Sequence, residues 1–300
     1  MAAKDNAVVG VDLKTQLNSS LIALHTSSSL NISPELVDII VKADAQGNPT
    51  DWARRIQGVA EWSTEHEGPL ANQSATQAKV SDGNMSLKLE VDTTDDATDN
   101  PTLVEIPLLD SVDFSLTQEL AEVGGMSMAS EPLWRYVQPD TRDFEISLTG
   151  TYVEPTSSDG GVHEAMLEQV LDRATDQLPF ELTILGVTFS GEVEIGDVNV
   201  NAETGGENAE IDLTLAANSD LTKNGSFESS LEAAFTAFMN KSSVNVGMLH
   251  YDGSSPESGT KKLTGTGYYT DLSISLSRGE PITASGTVEG DGALSMGEVS

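Results

Sequence analysis

Residue types that could carry out chemistry are few in this sequence and lie far apart. There is no cysteine, which excludes disulfides, thiolate metal ligands and a thiol nucleophile. The four histidines, His25, His66, His163 and His250, do not have the spacing of a structural zinc site. We therefore expect no metal site and no cofactor.

Short motifs that approach catalytic signatures each lack a required residue. HEAML starts at His163 like a zinc-protease helix, but Leu167 occupies the place of the second histidine. GMSMA, from Gly125, lacks the final glycine of a nucleophile elbow. GTGYYT, from Gly265, lacks the third glycine of a dinucleotide-binding loop and lies in a strand pattern. The sequence therefore predicts a plain amphipathic helix at His163, a strand at Gly265 and no enzyme activity.

The segment DTTDDATDN, residues 92–100, is a cluster of carboxylates. Carboxylate oxygens are calcium ligands, but the segment lacks the glycine and the spacing of an EF-hand loop. We expect a solvated acidic loop here, with cation binding as the alternative.

The overall charge restricts the partners of the chain. Its 300 residues include 48 acidic and 15 basic ones, a formal net charge of −33. Tight binding to nucleic acid needs Lys and Arg at the phosphates, so we exclude it, although contact without binding remains allowed. Such self-repulsion is screened at molar salt, where the Debye length is about 3 Å. The composition therefore favours a protein for high salt, as in haloarchaea or their viruses; an acidic protein from a non-saline host is the alternative.

No sequence feature indicates a membrane. The chain has no apolar run of about 18 residues, and its start, MAAKDNAV, lacks the basic and apolar parts of a secretory leader. We expect neither a membrane span nor export. The apolar content of 38% is still enough to bury a core.

Hydrophobic alternation predicts a mainly β (α+β) fold. Apolar residues fall on one face in NMSLKLEV, FEISLTG and DLSISLS, which is typical of half-buried antiparallel strands. Two segments, residues 163–173 and 231–241, instead have the four-residue spacing of helices. Ser229 and Glu232 have the spacing of a capping box at the second helix. The side chains expected to pack these helices on a sheet are Met166, Val170, Leu171, Leu231, Phe235 and Phe238.

The chain contains an internal repeat that begins at the two helices. VEIGDVNVN, from Val193, parallels GYYTDLSIS without gaps and sets Asp197 against Asp271. NAEIDLTLAANSDL and PITASGTVEGDGAL follow at equal length. Upstream, SLTG ending at Gly150 resembles RIQG ending at Gly58. Charge divides the chain in the same way, since residues 81–220 hold 30 acidic and 4 basic residues.

The repeat predicts two related domains in a nested arrangement. Residues 1–83 and 223–300 would form a discontinuous outer domain, and residues 84–222 an inserted, more acidic copy. Insertion into a loop is tolerated because domain termini often lie close together. Two tandem domains divided near residue 160, or chance similarity between acidic β segments, are the alternatives.

The segment from His25 to Gly68 resembles the N-terminal half of major tail tube proteins of viruses with long, flexible tails. The resemblance rests on a Ser-rich strand at residues 27–30, Val41 with Lys42, Gly47 with Trp52, and Gly58 with Trp62. PITASGTVEGDGAL resembles the last strand of that family, and the helix before three strands fits it too. The chain is about twice as long as single-domain members, which the second copy would explain.

The resemblance implies a fold and an assembly. Each domain would be a β-sandwich or barrel flanked by one helix, and subunits would join into rings by a continuous inner sheet. Two fused copies imply a trimer with pseudo-sixfold symmetry, stacked ring on ring into the tail tube of a virion and made in the host cytoplasm. Viral DNA would pass without specific binding, repelled by acidic side chains on the lumen. Partners would be the chain itself and other tail proteins, namely the terminator, tape measure and baseplate or tip proteins.

The loops at residues 42–55 and 121–140 precede equivalent glycine-marked strands, so we expect them to carry subunit or ring-to-ring contacts. The residues expected there are Trp52, Arg54, Arg55, Trp134, Arg135 and Tyr136, because aromatic and arginine side chains often dominate interfaces. Packing of the aromatic residues inside their own domain is the alternative. A cell-surface or adhesion β protein of a halophile is the alternative function.

Overall fold

The structure is a computed structural model, and it confirms the mainly β fold with two helices. It describes residues 13–17, 20–21, 27–39, 54–69, 85–91, 102–123, 134–152, 161–171, 177–201, 209–252, 255–256 and 261–298. The strands in these ranges are β1 Leu13–Leu17, β2 Ser20–Leu21, β3 Ser27–Ile39, β4 Arg54–Pro69, β5 Met85–Val91, β6 Thr102–Glu105, β7 Leu109–Glu122, β8 Val137–Thr151, β9 Leu178–Ile184, β10 Val187–Asn201, β11 Glu210–Ala217, β12 Thr222–Asn224, β13 Val244–Asp252, β14 Ser255–Pro256, β15 Lys261–Ser277, β16 Thr283–Gly290 and β17 Ser295–Glu298. The helices are α1 Gly161–Leu171 and α2 Ser229–Met239.

The strands form where apolar residues alternate with polar ones, as predicted. In β8, for example, Phe144, Ile146 and Leu148 are buried, while Asp143 and Glu145, on either side of Phe144, are exposed. Burial of every second side chain is the arrangement that lets one face of a sheet cover a core and the other face meet water. The predicted strand at GTGYYT is also confirmed, since this segment lies inside β15.

Eight strands pair antiparallel into one continuous sheet. Its order is β3, β4, β16, β15, β7, β8, β11, β10. The first halves of the long strands β15 and β10 pair instead with β13 and β9, which lead on to β1 and β5. These last strands form a second layer: Phe180 of β9 packs on Phe144 of β8 with ring centroids 5.5 Å apart. The buried apolar side chains of both layers form one core.

Two sets of strands repeat the same pairing order. We name them the flanking unit (β1, β3, β4, β13, β15, β16 and α2) and the middle unit (β5, β7, β8, β9, β10, β11 and α1). In each set a hairpin is followed by a helix and three strands, and the last strand pairs back onto the hairpin. A bulge lies between Ile195 and Asp197 in β10 and between Tyr269 and Asp271 in β15. The aligned aspartates therefore occupy equivalent places.

Register across the sheet fixes which residues correspond. One row of neighbours crosses the middle unit at Asp197, Thr214, Ser147 and Asp113, and the equivalent row crosses the flanking unit at Asp271, Thr287, Glu65 and Ser29. Ser147 thus corresponds to Glu65, and Gly150 to Gly68. The sequence match of Gly150 with Gly58 was therefore wrong. The register of each hairpin is set by its hydrogen bonds to β11 or β16, in which Gly150 pairs with Ile211 and Gly68 with Ala284, and a similarity of four residues does not determine it.

Helix α2 packs on the core as predicted, but its cap differs. Leu231, Phe235 and Phe238 are buried. The N-cap is Glu228, whose side chain accepts a hydrogen bond from the Leu231 amide at 3.2 Å. The capping box expected from Ser229 and Glu232 was therefore placed one residue too late, because the longer Glu228 side chain reaches the free amides of the first turn.

Helix α1 buries a shorter stripe than predicted. Met166 is buried, but Val170 is 39% and Leu171 78% exposed, so their assignment to the core was wrong. The equivalent residues of α2, Phe238 and Met239, are covered. They line a cleft together with Leu116 and Phe144 of the middle unit, where Arg142 donates hydrogen bonds to their carbonyl oxygens. In the described parts of the chain, no segment covers the end of α1 in this way.

Candidate functional site: the acidic face of the sheet

The eight-stranded sheet presents one face that is polar throughout its paired region. The opposite face carries the core residues, so the side chains between them must point away from the core. The carboxylates at these outward positions are Glu61, Glu65, Glu67, Asp113, Asp143, Glu145, Glu194, Asp197, Glu210, Asp212, Asp271 and Glu289. At the paired positions of residues 27–33, 61–69, 111–117, 143–151, 194–201, 210–216, 268–277 and 283–289, the other outward residues are Ser, Thr or Asn apart from Pro69, Ala216 and Tyr268, and none is Lys or Arg. We call this surface the acidic face.

The cations that pair with carboxylates in the described residues lie away from the middle of this face. Lys88 contacts Glu181 at 2.8 Å on the second layer, and the hydrogen bond that Lys88 donates to the Glu181 carboxylate raises the pKa of Lys88. Lys223 contacts Glu232 at 2.8 Å beside helix α2. Arg135 lies at the rim, where it pairs with Glu289 and, at 3.2 Å, with Glu61.

Asp271 lies in the acidic face where the two units meet. It is half-buried between Thr117 of β7 and Thr287 of β16, and this burial raises the pKa of its carboxyl. Its equivalent, Asp197, is exposed. The same residue type therefore lies in two environments, one inside a strand junction and one on an open edge.

The arrangement is suited to repelling polyanions. Arg135 lies only at the rim, so the carboxylates in the middle of the face create a negative potential over that part of the surface. Proteins bind a phosphate backbone by placing Lys and Arg at the phosphates, which releases the condensed counterions into solvent. The described middle of this face has no Lys or Arg that could do so. The potential decays over about 8 Å at physiological salt and over about 3 Å at molar salt, so repulsion acts mainly at close approach.

Trp62 packs beneath this face, directly on the backbone of β15 and β16. Its ring is buried, and its Nε1 donates a hydrogen bond to the Gly292 carbonyl oxygen at 3.1 Å. A Cβ atom at Gly290 would lie 2.2 Å from Trp62 Cε2, and one at Gly265 would lie 2.4 Å from Trp62 Cζ2. Glycine is required at both places because the ring lies directly on the backbone.

His163 and His66 are both buried in the structure. The His163 ring stacks on Tyr152 with centroids 5.7 Å apart, inside helix α1 as predicted. His66 lies edge-on to Tyr269, and its Nε2 is 3.4 Å from the Tyr269 hydroxyl. Both histidines are thus packed against tyrosines of the core.

The predicted contact residues before β4 are only partly described. Trp52 lies outside the described residues. Arg54 and Arg55 lie in β4, opposite Ile39 and Asp38 of β3 in the backbone register. Their role in contacts between subunits stays a prediction.

The predicted contact residues before β8 lie against the same chain. Trp134 is half-buried on the core and bridges to Ala60, whose carbonyl oxygen accepts a hydrogen bond from the Arg135 amide at 3.0 Å. Tyr136 packs over Gly292 and is 46% exposed. Sequence reasoning left open whether these aromatic residues pack within the chain, and Trp134 does; a further role in ring contacts stays a prediction.

Two residues of this region were missed by sequence reasoning. Arg142 caps the C-terminal end of α2 from the other unit, and Gln118 joins β7 to β15. The repeat alignment gives no signal for either residue, because both make contacts between the two units and not within one unit.

Within the described ranges no group of three or more acidic or histidine side chains could hold a metal ion. The carboxylate cluster at residues 92–100 lies outside those ranges. Neither described helix has the length and apolar character needed to cross a bilayer.

No protein-family model matches the chain, and no curated protein matches it either. Among solved structures, it is similar to a chain of "Virion of native gene transfer agent (GTA) particle", with 17% identity over 46% of this chain and 95% of that chain, and a TM-score of 0.37. It is also similar to a chain of "Tail of empty GTA particle computed with helical refinement, C6 symmetry", with 16% identity over 49% and 100% and a TM-score of 0.39. These TM-scores are too low to establish a shared fold.

Proposed function

We propose that this protein is the subunit of a viral tail tube, a structural virion protein that polymerises as stacked rings around a channel for the genome. The observation that carries the proposal is the acidic face, a broad sheet surface with carboxylates and without described Lys or Arg across its middle. A face of this kind fits the wall of a conduit for DNA, because it meets the polyanion closely and does not hold it.

The duplicated strand order supports a ring of fused pairs. We propose that residues 84–222 are a second copy inserted into the domain formed by residues 1–83 and 223–300. Each chain would then supply two equivalent sectors, and three chains would close a ring with pseudo-sixfold symmetry. Rings would stack through heterologous contacts, which repeat into an open-ended tube.

The proposed mechanism is physical, and we infer no catalytic role. The sheet would supply a rigid wall, and its carboxylates would repel phosphates so that DNA slides during genome passage. The host would be a haloarchaeon, since a net charge of −33 is best tolerated at high ionic strength. The protein would be made in the host cytoplasm and reside in the virion tail, with terminator, tape measure and baseplate or tip proteins as partners.

Assembly in molar salt tests this proposal. The purified chain is examined by light scattering and negative-stain electron microscopy over a range of protein concentrations. We expect rings that convert to uniform hollow tubes as concentration rises. A monomer at every concentration and salt, as expected for an adhesion protein, would overturn the proposal.

The role of the acidic face is tested separately with DNA. Asp113→Lys, Asp143→Lys and Glu145→Lys together are expected to leave tubes intact and make them retain labelled DNA. A matched triple, Glu105→Lys, Glu164→Lys and Asp220→Lys, changes the net charge equally on other exposed surfaces. Equal DNA retention by both triples would show that total charge, and not this face, excludes DNA.

A further inference from the structure

The two units of one chain are joined by a strand pair with a defined register. In the second half of β15, Leu272 faces Leu116 of β7 and Ile274 faces Phe114, and all four side chains are buried. On the acidic face of the same pair, Asp271 faces Thr117. We call this pair of strand segments the internal joint.

The strands equivalent to the internal joint are both at open edges. β10 corresponds to β15, and over residues 197–201 it pairs with β11 on one side only. β3 corresponds to β7, and over residues 29–33 it pairs with β4 on one side only. Among the described strands, none forms a hydrogen-bonded pair with the other edge of either segment. The two outer strands of the eight-stranded sheet, β3 and β10, therefore correspond to β7 and β15, the two strands that pair in the internal joint.

The apolar side chains of these edges are exposed where their equivalents are buried. Ile32 is 47% exposed, whereas Leu116 at the same place in β7 is buried. Val200 is 43% exposed, whereas Ile274 at the same place in β15 is buried. Exposed apolar residues on unpaired edges promote association, and edge strands without a partner are normally blunted by charge or covered.

The end of helix α1 shows the same difference. Val170 and Leu171 correspond by the repeat to Phe238 and Met239 of α2, which line a cleft with Leu116, Phe144 and Arg142 of the neighbouring unit. Their exposure follows if a neighbouring unit is missing beside α1 and present beside α2. The open edge of β10 and the bare end of α1 belong to the same unit, so one partner would cover both.

We propose that β10 of one chain pairs antiparallel with β3 of a second copy of this chain, in the register Asp197 with Ser33, Val198 with Ile32, Asn199 with Asn31 and Val200 with Leu30. The proposal names the joint of the ring proposed above and rests on that ring for its biological role. The register is that of the internal joint transferred residue by residue. Because the two edges differ, the contact is head-to-tail and each chain uses both edges.

The side chains on the acidic face are compatible with this joint. Asp197 would face Ser33 as Asp271 faces Thr117, and Asn199 would face Asn31 as Ser273 faces Ser115. No carboxylate lies directly opposite another in these pairs, and like charges directly opposite would destabilise a strand pair. Apart from Asp197, these pairs would carry only hydroxyl and amide groups on the acidic face.

Engineered disulfides test the register, and the absence of native cysteine makes the result unambiguous. Two matched double variants are made, Ile32→Cys with Val198→Cys and Asn31→Cys with Asn199→Cys. One of two successive antiparallel pairs has the closer Cα separation, which suits a disulfide. The control, Ile32→Cys with Val200→Cys, is slipped by two residues. Each is oxidised mildly after assembly in molar salt and examined on non-reducing gels.

We expect at least one matched variant to form covalent multimers, and the slipped variant and single-cysteine variants to form none. Rings or tubes without a link at either matched pair would overturn the joint while leaving the tail-tube function standing. Linked multimers that never form tubes would support the joint and count against the function.

Charge at the edge gives a second test that does not depend on disulfide geometry. Ile32→Asp and Val200→Asp are expected to abolish self-association while the unassembled chain melts as wild type, since both side chains are exposed in it. Leu103→Asp, at another exposed apolar residue in a strand, is the matched control and should assemble normally. Loss of assembly in the control alone, or normal assembly of both edge variants, would overturn the joint.

Discussion

Gln118 donates a hydrogen bond from its Nε2 to the backbone carbonyl oxygen of Tyr269 at 2.9 Å, and this contact ties the middle unit to the flanking unit. Both residues lie at bulges, Gln118 in β7 and Tyr269 in β15. Pro34 lies at the equivalent bulge of β3 and has no side-chain amide. The Gln118 hydrogen bond therefore strengthens the internal joint, and Pro34 could not supply the same hydrogen bond in a joint between chains.

Gln118→Leu is expected to destabilise the chain by about 1 kcal/mol, because the Tyr269 carbonyl loses a buried donor. Urea unfolding of the unassembled protein measures this. Gln138→Leu, at an exposed position of β8, is the control and should be close to neutral. Equal stability of the two variants would show that the Gln118 hydrogen bond does not stabilise the junction.

Gly290→Ala is expected to cost about 1–3 kcal/mol, because the new methyl group would overlap the buried Trp62 ring. Gly297→Ala is the matched control, since a Cβ atom there would meet nothing within 4 Å. Thermal melting compares the two variants. A wild-type melting temperature for Gly290→Ala would mean that Trp62 does not lie on this backbone.

Asp271→Asn is expected to raise stability at neutral pH. Burial raises the pKa of the Asp271 carboxyl, so its ionised form is disfavoured in the folded state. Stability of the wild type should therefore fall as pH rises from the ordinary aspartate pKa through the raised one. The advantage of the asparagine variant should shrink as pH is lowered towards 4 in melting experiments. Asp197→Asn, at the exposed equivalent position, is the matched control in unassembled protein and should change stability little at neutral pH.

Glu232→Gln is expected to lower stability at neutral pH. Partial burial raises the pKa of Glu232, but hydrogen bonds from Lys223 and the Phe227 amide outweigh it and hold the pKa below its ordinary value. The stabilisation is present above the ordinary glutamate pKa and is lost as pH falls through the lowered one. The two proteins should converge in acid when melting is followed by circular dichroism. A difference independent of pH would contradict the ion pair as its cause.

Much of the fold could be predicted because it depends on local patterns. Alternation fixed which side of β8 and β15 meets the core, with Ile146 and Ile274 buried as expected. The ungapped repeat also placed Asp197 and Asp271 at equivalent positions, which the matching bulges confirm. Both results need only the period of a strand and a comparison of the chain with itself.

The remaining features depend on contacts between units, which periodicity does not encode. Val170 has the spacing of a buried helix residue, yet it is exposed in the structure, where its equivalent Phe238 lies beside the other unit. The same holds for Arg142, which looks like a surface cation in sequence and caps α2 in the structure. Ser29, Asn31 and Ser33 alternate with apolar residues and so indicate a polar strand face. Only the order of the strands places this face beside Glu61 and Glu65, and that order is not encoded in the alternation.

Electron cryomicroscopy of particles assembled in molar salt tests the central claim most directly, because it shows which face of the sheet lines the inside. We predict a hollow tube of closed rings, with Asp113, Glu145 and Asp271 on the lumen and the strand sheet continuous from chain to chain. A solid filament, or a tube whose acidic face points outward, would contradict the account.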